Sequence, residues 1–342
     1  MTAEILPTHT PALFATAVKR ATELLRTGEV VALPTETVYG LAANALDEKA
    51  VAKIFQVKGR PAHNPIIVHV AGVAMARQCV TTWPDPAEQL ARAFWPGPLT
   101  LVLPCAKEIP AAVTAGGTTV GVRWPGHPFI QAVIQACGFP LAAPSANVSN
   151  QVSPTNAGHV RQQLGDKISL IVDGGQSQVG IESTVLDLTV LPPKILRPGM
   201  IRAESLAAVA GIIQHSTPRH REQASNIQHP TLRSPGLLKK HYAPRARLAV
   251  LHWLNDTDLR AQLSALNPQP STCFVIAHTI IPTGLSAANV SVIPHDAEAF
   301  ARAIYEELHR CDAAGAELII VEAPPELPGW AGIADRLRRA AA

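Results

Sequence analysis

The chain has 342 residues, 47% hydrophobic and 16% charged, with a formal net charge of +3. Its length and apolar content are enough for two cores, and its nearly balanced charge excludes both a disordered polyelectrolyte and a histone-like nucleic-acid binder. No apolar run approaches the ~20 residues of a membrane-spanning helix, and Met1–Pro11 has neither a basic nor an apolar leader segment. The five cysteines, Cys79, Cys105, Cys137, Cys273 and Cys311, are scattered without a C-x-x-C pair. The expectation is therefore a soluble cytoplasmic protein, free of membrane segments, with reduced and buried thiols.

In chain order, Leu13, Phe14, Ala17, Val18, Ala21, Leu24 and Leu25 recur at helical spacing, with Gly28 where a left-handed cap ends a helix. Val30–Leu33 is a β-branched apolar run stopped by Pro34, a buried strand whose end meets a loop. Past that loop Asp47 caps a helix bearing Ala50, Val51, Ile54 and Phe55, and Gly59 closes it, so Lys58 and Arg60 flank its C-terminus. Ile66–Val70 reads as strand, Asp85 to Trp95 as helix, and Leu99–Leu103 and Thr118–Arg123 as strands. A helix over Pro128–Cys137 ends at Gly138, and Leu141–Ala143 is a short strand delivering Pro144-Ser145-Ala146-Asn147 into a loop. Strands follow at Leu170–Val172, Val185–Val190 and Ile195–Leu196. Several strands succeed one another without a helix between them, which predicts an α/β fold with an open, mixed, twisted sheet and helices packed on it.

From His215 to Arg233 periodicity gives way to His, Arg, Gln, Ser, Asn and Pro, the composition of a solvated linker. Beyond it, strands at Arg247–Trp253, Cys273–His278 and Leu318–Glu322 alternate with helices at Asp256–Leu266, Ala297–His309 and Ile333–Arg339. This series predicts a smaller Rossmann-like parallel α/β domain. It has no G-x-G-x-x-G and no G-K-[ST]. The expected division is a catalytic domain over 1–207, a linker over 208–245 and the small domain over 246–342.

Three loops concentrate chemistry-bearing residues. Pro34-Thr35-Glu36-Thr37-Val38-Tyr39-Gly40-Leu41 follows a buried strand, where open α/β sheets bind ligands; equally, threonines there can close their own turn. Lys58-Gly59-Arg60-Pro61, with Asn64-Pro65 and His69 beyond, sets two cations on a stiff loop suited to a polyphosphate. Cations at a helix C-terminus also offset its dipole without any ligand. Pro144-Ser145-Ala146-Asn147, with Ser149 and Ser153 downstream, offers small donors and acceptors, although Ser153 before Pro154 is also a candidate helix N-cap. Thr119 and Arg123 share a strand, Ser183-Thr184 opens another, and Arg197-Pro198-Gly199 ends a third. The Arg123 fork matches an amino-acid carboxylate or, alternatively, a structural acidic partner. A lone histidine such as His69 on an apolar strand is more often a core residue than a ligand. Together these residues describe a cleft for an anion rather than a metal centre or a hydrolase nucleophile.

Read in order, these motifs, with Gly121-Val122-Arg123 and Glu182-Ser183-Thr184, resemble the YrdC family of threonylcarbamoyl-AMP synthases over about residues 10–205. Ser234-Pro235-Gly236 and His241-Tyr242-Ala243-Pro244 are similar to the linker of the long, two-domain form, with Leu237-Leu238-Lys239 where a Met-Lys-Tyr-like stretch is expected. The resemblance implies a nucleotidyltransferase that joins L-threonine, bicarbonate and ATP into threonylcarbamoyl-AMP and pyrophosphate, for threonylcarbamoyl-adenosine modification of ANN-decoding tRNAs. It implies catalytic roles for Lys58 and Arg60, and ATP contacts from Arg60, Asn64, Thr119, Ser145, Asn147, Ser153, Arg197, Ser234, His241 and Tyr242. Threonine would be held by Thr35, Thr37, His69, Arg123, Ala143 and Ser183. Magnesium is expected on the ATP phosphates with no protein metal site, the product passing to the tRNA threonylcarbamoyl-transferase machinery. Weak contact with tRNA or double-stranded RNA stays open.

Two rivals are an RNA-binding module without catalysis, which would need no ATP and weaken steeply with salt, and a related carbamoyltransferase. The absence of an aromatic stacking motif counts against the first. The absence of C-x-x-C zinc modules counts against the second.

Overall fold

The computed structural model describes residues 2–215, 241–266, 269, 271–283, 286 and 289–342. Ser234, the stretch Leu237-Leu238-Lys239 and the rest of 216–240 within the expected linker lie outside the described residues. The first unit contains β1 (Glu4–Pro7), α1 (Pro11–Arg26), β2 (Val31–Leu33), β3 (Gly40–Asn44), α2 (Glu48–Lys58), β4 (Val68–His69), α3 (Val73–Gln78), α4 (Asp85–Phe94) and β5 (Leu99–Pro104). It continues with α5 (Ala111–Thr114), β6 (Thr119–Arg123), α6 (Pro128–Cys137), β7 (Leu141–Ala142), α7 (Ala157–Leu164), β8 (Leu170–Asp173), β9 (Thr184–Asp187), β10 (Lys194–Arg197), α8 (Ala203–Ala210) and β11 (Gln214–His215). The second unit contains β12 (Arg247–Leu251), α9 (Asp256–Leu266), β13 (Cys273–Ala277), β14 (Val290–Val292), α10 (Ala297–Ala313), β15 (Leu318–Glu322) and α11 (Ala331–Ala340).

The expected mixed sheet is present, with eleven strands in the order β1-β8-β2-β3-β7-β4-β6-β5-β9-β10-β11. Alternation along β2 shows why both faces carry helices. Val31 and Leu33 point into a cluster with Ala17, Ala21 and Leu25 of α1 and Phe129, Ile130 and Val133 of α6. Ala32 points the other way, into a cluster with Val51 and Ile54 of α2 and Leu90 of α4. Each large apolar side chain buried in this way stabilises the fold by about 1.5–3 kcal/mol.

The caps follow the sequence signals closely. Asp47 accepts from the N–H groups of Lys49 and Ala50, and Gly59 ends α2 in the left-handed region, with φ 60°. The start of α7 differs from expectation: its cap is Asn156, whose side chain accepts from His159 N. Ser153 instead gives its hydroxyl to Glu182. Four strands emerge where no strand was expected, β1, β3, β11 and β14. The β3 segment pairs antiparallel with β2 in the register Val31 to Ala42 and Leu33 to Gly40, folding the Pro34–Leu41 motif back across the sheet.

The second unit is a fully parallel four-stranded sheet, β12-β15-β13-β14. Cys273, Val275 and Ala277 face Leu259 and Leu263 of α9. Phe274 and Ile276 face Phe300 and Ile304 of α10 and Ile333 of α11, which completes three layers. That same cluster includes Val38, Val152 and Ile181, so the two units share a core. Gly180, at φ +83°, allows the close approach: a Cβ there would lie 2.3 Å from the carbonyl oxygen of Ala301. All five cysteines are free, four of them buried and Cys105 partly so. No helix among the described residues is long and apolar enough to cross a membrane.

Candidate functional site

One cavity gathers residues from nearly every motif: Thr35, Thr37, Arg60, His69, Arg123, Ala143, Ser145, Ser183, Arg197, His241 and Tyr242 all line it. All six residues expected to hold threonine are among them. Also in its wall are Val38, Gly40, Ile67, Pro144 and Glu182, for which no role was expected.

The turn after β2 is closed by Thr35. Its hydroxyl donates to Val38 O at 2.6 Å, accepts from the N–H groups of Thr37 and Val38, and lies 2.9 Å from Thr37 Oγ1. Thr35 thus does close its own turn, and in doing so it aims Thr37 at Arg123, whose Nη1 donates to Thr37 Oγ1 at 3.0 Å. Arg123 Nη2 pairs with Glu36 Oε1 at 2.6 Å, and its Nε donates to Gly97 O. Burial alone would push the Glu36 carboxyl up, but Arg123 and the Gly126 N–H together hold it below the usual carboxylate value. The acidic partner considered for Arg123 exists, then, and it fixes a cation that still faces the cavity.

Arg60 is held at the loop after α2 by two carbonyls, Asn64 O at 3.1 Å from its Nε and Pro65 O at 2.7 Å from its Nη2. Burial pushes its pKa down to about 10, with Arg197 adding to the effect against an opposing pull from Tyr242, so it remains a cation at neutral pH. Asn64 contributes its backbone to this arrangement, while its side-chain Nδ2 is buried without a partner. Arg197, at the end of β10, donates from Nε to Ser183 O and from Nη2 to Ser183 Oγ, both at 3.1 Å. Ser183 Oγ is also 2.8 Å from Thr100 Oγ1.

Lys58 stands behind this wall rather than in it. Its Nζ donates to Ser145 O and Asn147 O, each at 2.5 Å, pinning the loop that carries Ser145 into the cavity. Full burial, helped by Arg60, pulls its pKa well below the lysine value. Asn147 is likewise a loop-holding residue, donating from Nδ2 to Val148 O and Gln151 O. Thr119 opens on a neighbouring apolar cavity formed with Ile66, Val102, Val113, Val120 and Val185, which shares Ile67 with the main one.

Two neutral imidazoles complete the lining. Burial, reinforced by Arg123, lowers His69 to about 3, and its Nδ1 is buried with no hydrogen-bond partner. Burial also lowers His241 to about 3, against an opposing pull from Glu182 and with Arg60, Lys58 and Arg197 adding to the effect, and its Nδ1 is equally unpartnered. The rings of His241 and Tyr242 meet edge to face at 4.0 Å. Tyr242 holds a left-handed backbone, φ 60°, without being glycine.

Glu182 lines the cavity although the sequence pattern gives it no role. Its signal was adjacency to Ser183 within one motif. The partners that reveal it come from elsewhere: Ser153 Oγ donates to its Oε1 at 2.6 Å, and Tyr305 OH and Arg336 Nε donate to its Oε2 at 3.1 and 2.7 Å.

Three arginines, unpaired imidazole nitrogens and hydroxyls converging in one cavity of an α/β sheet define a protein that binds a polyanion and a second small polar substrate together. A family model for Sua5/YciO/YrdC, described as telomere recombination, matches residues 23–199, and a second, described as the threonylcarbamoyl-AMP synthase C-terminal domain, matches residues 201–342. The chain belongs to the Sua5/YciO/YrdC family. It is 39% identical over 323 residues to a threonylcarbamoyl-AMP synthase of Pyrococcus abyssi, covering 94% of this chain and 93% of that one. A synthase of the same name from Bacillus subtilis is 38% identical over 334 residues, covering 95% and 92%. Among solved structures, P. abyssi Sua5 complexed with L-threonine superposes with a TM-score of 0.88 at 36% identity, covering 100% of this chain and 98% of that one.

Proposed function

We propose that this chain makes threonylcarbamoyl-AMP from L-threonine, bicarbonate and ATP, releasing pyrophosphate. The observation that carries this reading is the convergence of Arg60, Arg123 and Arg197 in the cavity walled by Thr37, His69 and Ser183. In the reaction the threonine amine adds to bicarbonate with loss of water, and a carbamate oxygen then attacks the α-phosphorus of ATP as the bond to pyrophosphate breaks. Negative charge from carbamate, phosphates and carboxylate accumulates in one place, so fixed cations and preorganised donors supply the acceleration.

Arg60 and Arg197 are assigned to the phosphates, with Ser145 beside them. The apolar cavity around Thr119 suits the adenine, one residue away across Ile67. Lys58, Asn64, Asn147 and Ser153 act through the loops and partners they hold. Arg123 takes the threonine carboxylate, with Thr35, Thr37, His69, Ala143 and Ser183 around the rest of the amino acid. Because His69 and His241 are neutral at working pH, each can offer a nitrogen lone pair or an N–H without adding charge. Ser234, His241 and Tyr242 are assigned to shielding the hydrolysable mixed anhydride from water.

Glu182, the one carboxylate among the described residues that line the cavity, already accepts from Ser153, Tyr305 and Arg336. Magnesium is assigned to the ATP phosphates as their counter-ion, held mainly by substrate oxygens. The working division is a catalytic unit over 1–207, a connecting segment over 208–245 and a supporting unit over 246–342. The product is handed, in the cytoplasm, to the transferase that modifies ANN-decoding tRNA.

The test is pyrophosphate release by purified protein with ATP and magnesium, with threonine and bicarbonate each omitted in turn. Release should require both. Release that is indifferent to either one would defeat the proposal.

A further inference from the structure

The second unit braces the cavity wall at Glu182 through Tyr305 and Arg336, and Arg336 reaches furthest along it. Arg336 of α11 is 1% exposed, yet its guanidinium bonds the chain just before β9 and just after β10, on either side of the cavity wall. Its Nε donates to Glu182 Oε2 at 2.7 Å and its Nη2 to Glu182 O at 3.1 Å, the carbonyl of the peptide leading into Ser183. Its Nη1 donates to Pro198 O at 2.9 Å, one residue past Arg197. The same cation lies 5.3 Å from the centre of the Tyr242 ring. Asp335 keeps it in place at 3.1 Å and also pairs with Arg339, whose carbonyl accepts from His241 N at 3.2 Å. One planar fork thus touches the chain beside Ser183, beside Arg197 and beneath Tyr242.

We propose that Arg336 is a positioning residue for the adenylation reaction, through which the C-terminal unit sets the shape and charge of the nucleotide subsite. Two effects combine. The bonds to Glu182 O and Pro198 O fix the spacing between the start of β9 and the end of β10, and hence between Ser183 and Arg197. The bond to Glu182 Oε2 satisfies a carboxylate that otherwise has only neutral hydroxyls for partners and would turn toward the cavity cations, drawing it onto the site meant for phosphate. Lysine cannot replace this fork, since one ammonium cannot serve the carboxylate, the Glu182 carbonyl and the Pro198 carbonyl in a single plane. The inference rests on the cavity being the ATP site.

The test uses the full chain carrying Arg336→Ala or Arg336→Lys, with folded protein verified by circular dichroism and gel filtration. Two readings are taken: ATP affinity by calorimetry in the presence of magnesium, and KM and kcat for pyrophosphate release. In both variants ATP affinity should fall and KM for ATP should rise by about 10- to 100-fold, the range for losing a hydrogen bond to a charged group. Guanidinium chloride at low millimolar concentration should restore a substantial part of the loss in Arg336→Ala, while sodium chloride at equal ionic strength should not. Should Arg336→Ala aggregate, Arg336→Lys, which keeps the cation and most of the packing, decides the question. Wild-type ATP affinity and KM in folded variant, or an activity loss matched one for one by loss of folded protein without guanidinium rescue, overturns the proposal. Failure of the wild type to require threonine and bicarbonate would instead strike the functional reading, and ATP affinity would still report on Arg336.

Discussion

Replacing Arg123 by alanine removes the guanidinium that pairs with Glu36 at 2.6 Å and leaves a carboxylate only 13% exposed without its cation. Breaking a buried pair from one side costs about 3–5 kcal/mol, because the remaining charge keeps its desolvation penalty. The loss has a pH signature. In the native chain burial raises Glu36, but Arg123 and the backbone donors outweigh it, so the folded pKa lies below the ordinary value of 4.5. Such a group contributes stability above its unfolded pKa and loses it as pH falls through the folded one. In Arg123→Ala burial dominates, the folded pKa rises above the unfolded value, and acidification stabilises the variant as Glu36 takes up a proton. Urea unfolding should therefore show a gap of about 3–5 kcal/mol between native chain and variant at neutral pH. The gap should shrink as pH falls toward the carboxylate range. Glu36→Gln combined with Arg123→Ala should recover part of it, since the stranded charge is then gone. A gap under about 1 kcal/mol, typical of a surface pair, or one that does not change with pH, would refute the reasoning.

Arg60→Ala should lower kcat/KM for ATP by about 10²–10³-fold, as expected when one preorganised donor to developing charge is lost, with the fold intact by circular dichroism. Lys58→Ala should abolish turnover by releasing the loop it pins at Ser145 and Asn147, seen as lost pyrophosphate release together with faster proteolysis in that loop. Because His69 and His241 are both lowered to about 3, His69→Gln should leave the position of any acid limb in kcat/KM unchanged; a limb near the ordinary histidine value that His69→Gln abolishes would contradict their neutral state.

How much of this was readable in the sequence depended on the distance over which each signal acts. Asp47 and Gly59 bracket α2 through local backbone chemistry, so Lys58 and Arg60 were correctly placed at a helix end from spacing alone. The strands β2, β5, β6 and β15 announced themselves as apolar runs. The β3 segment, Gly40-Leu41-Ala42-Ala43-Asn44, did not, because glycine and alanine carry little strand preference and its pairing with β2 is what decides it. The motif residues converge in one cavity as their order suggested, but their division into lining and supporting roles was hidden. Lys58 turns to carbonyls 87 and 89 residues away, and Arg123 meets Glu36 across 87. Glu182 is braced by Arg336 and Tyr305 from the other unit, more than a hundred residues later. No local pattern encodes such partners; only the folded sheet brings them together.

The most direct trial of the account is a crystal structure of the chain with a non-hydrolysable ATP analogue, magnesium and threonine. The phosphates should lie against Arg60 and Arg197, the threonine carboxylate against Arg123, and the amine should face the α-phosphate side of the same cavity. Nucleotide bound on the C-terminal sheet, or threonine and nucleotide in separate pockets, would contradict it.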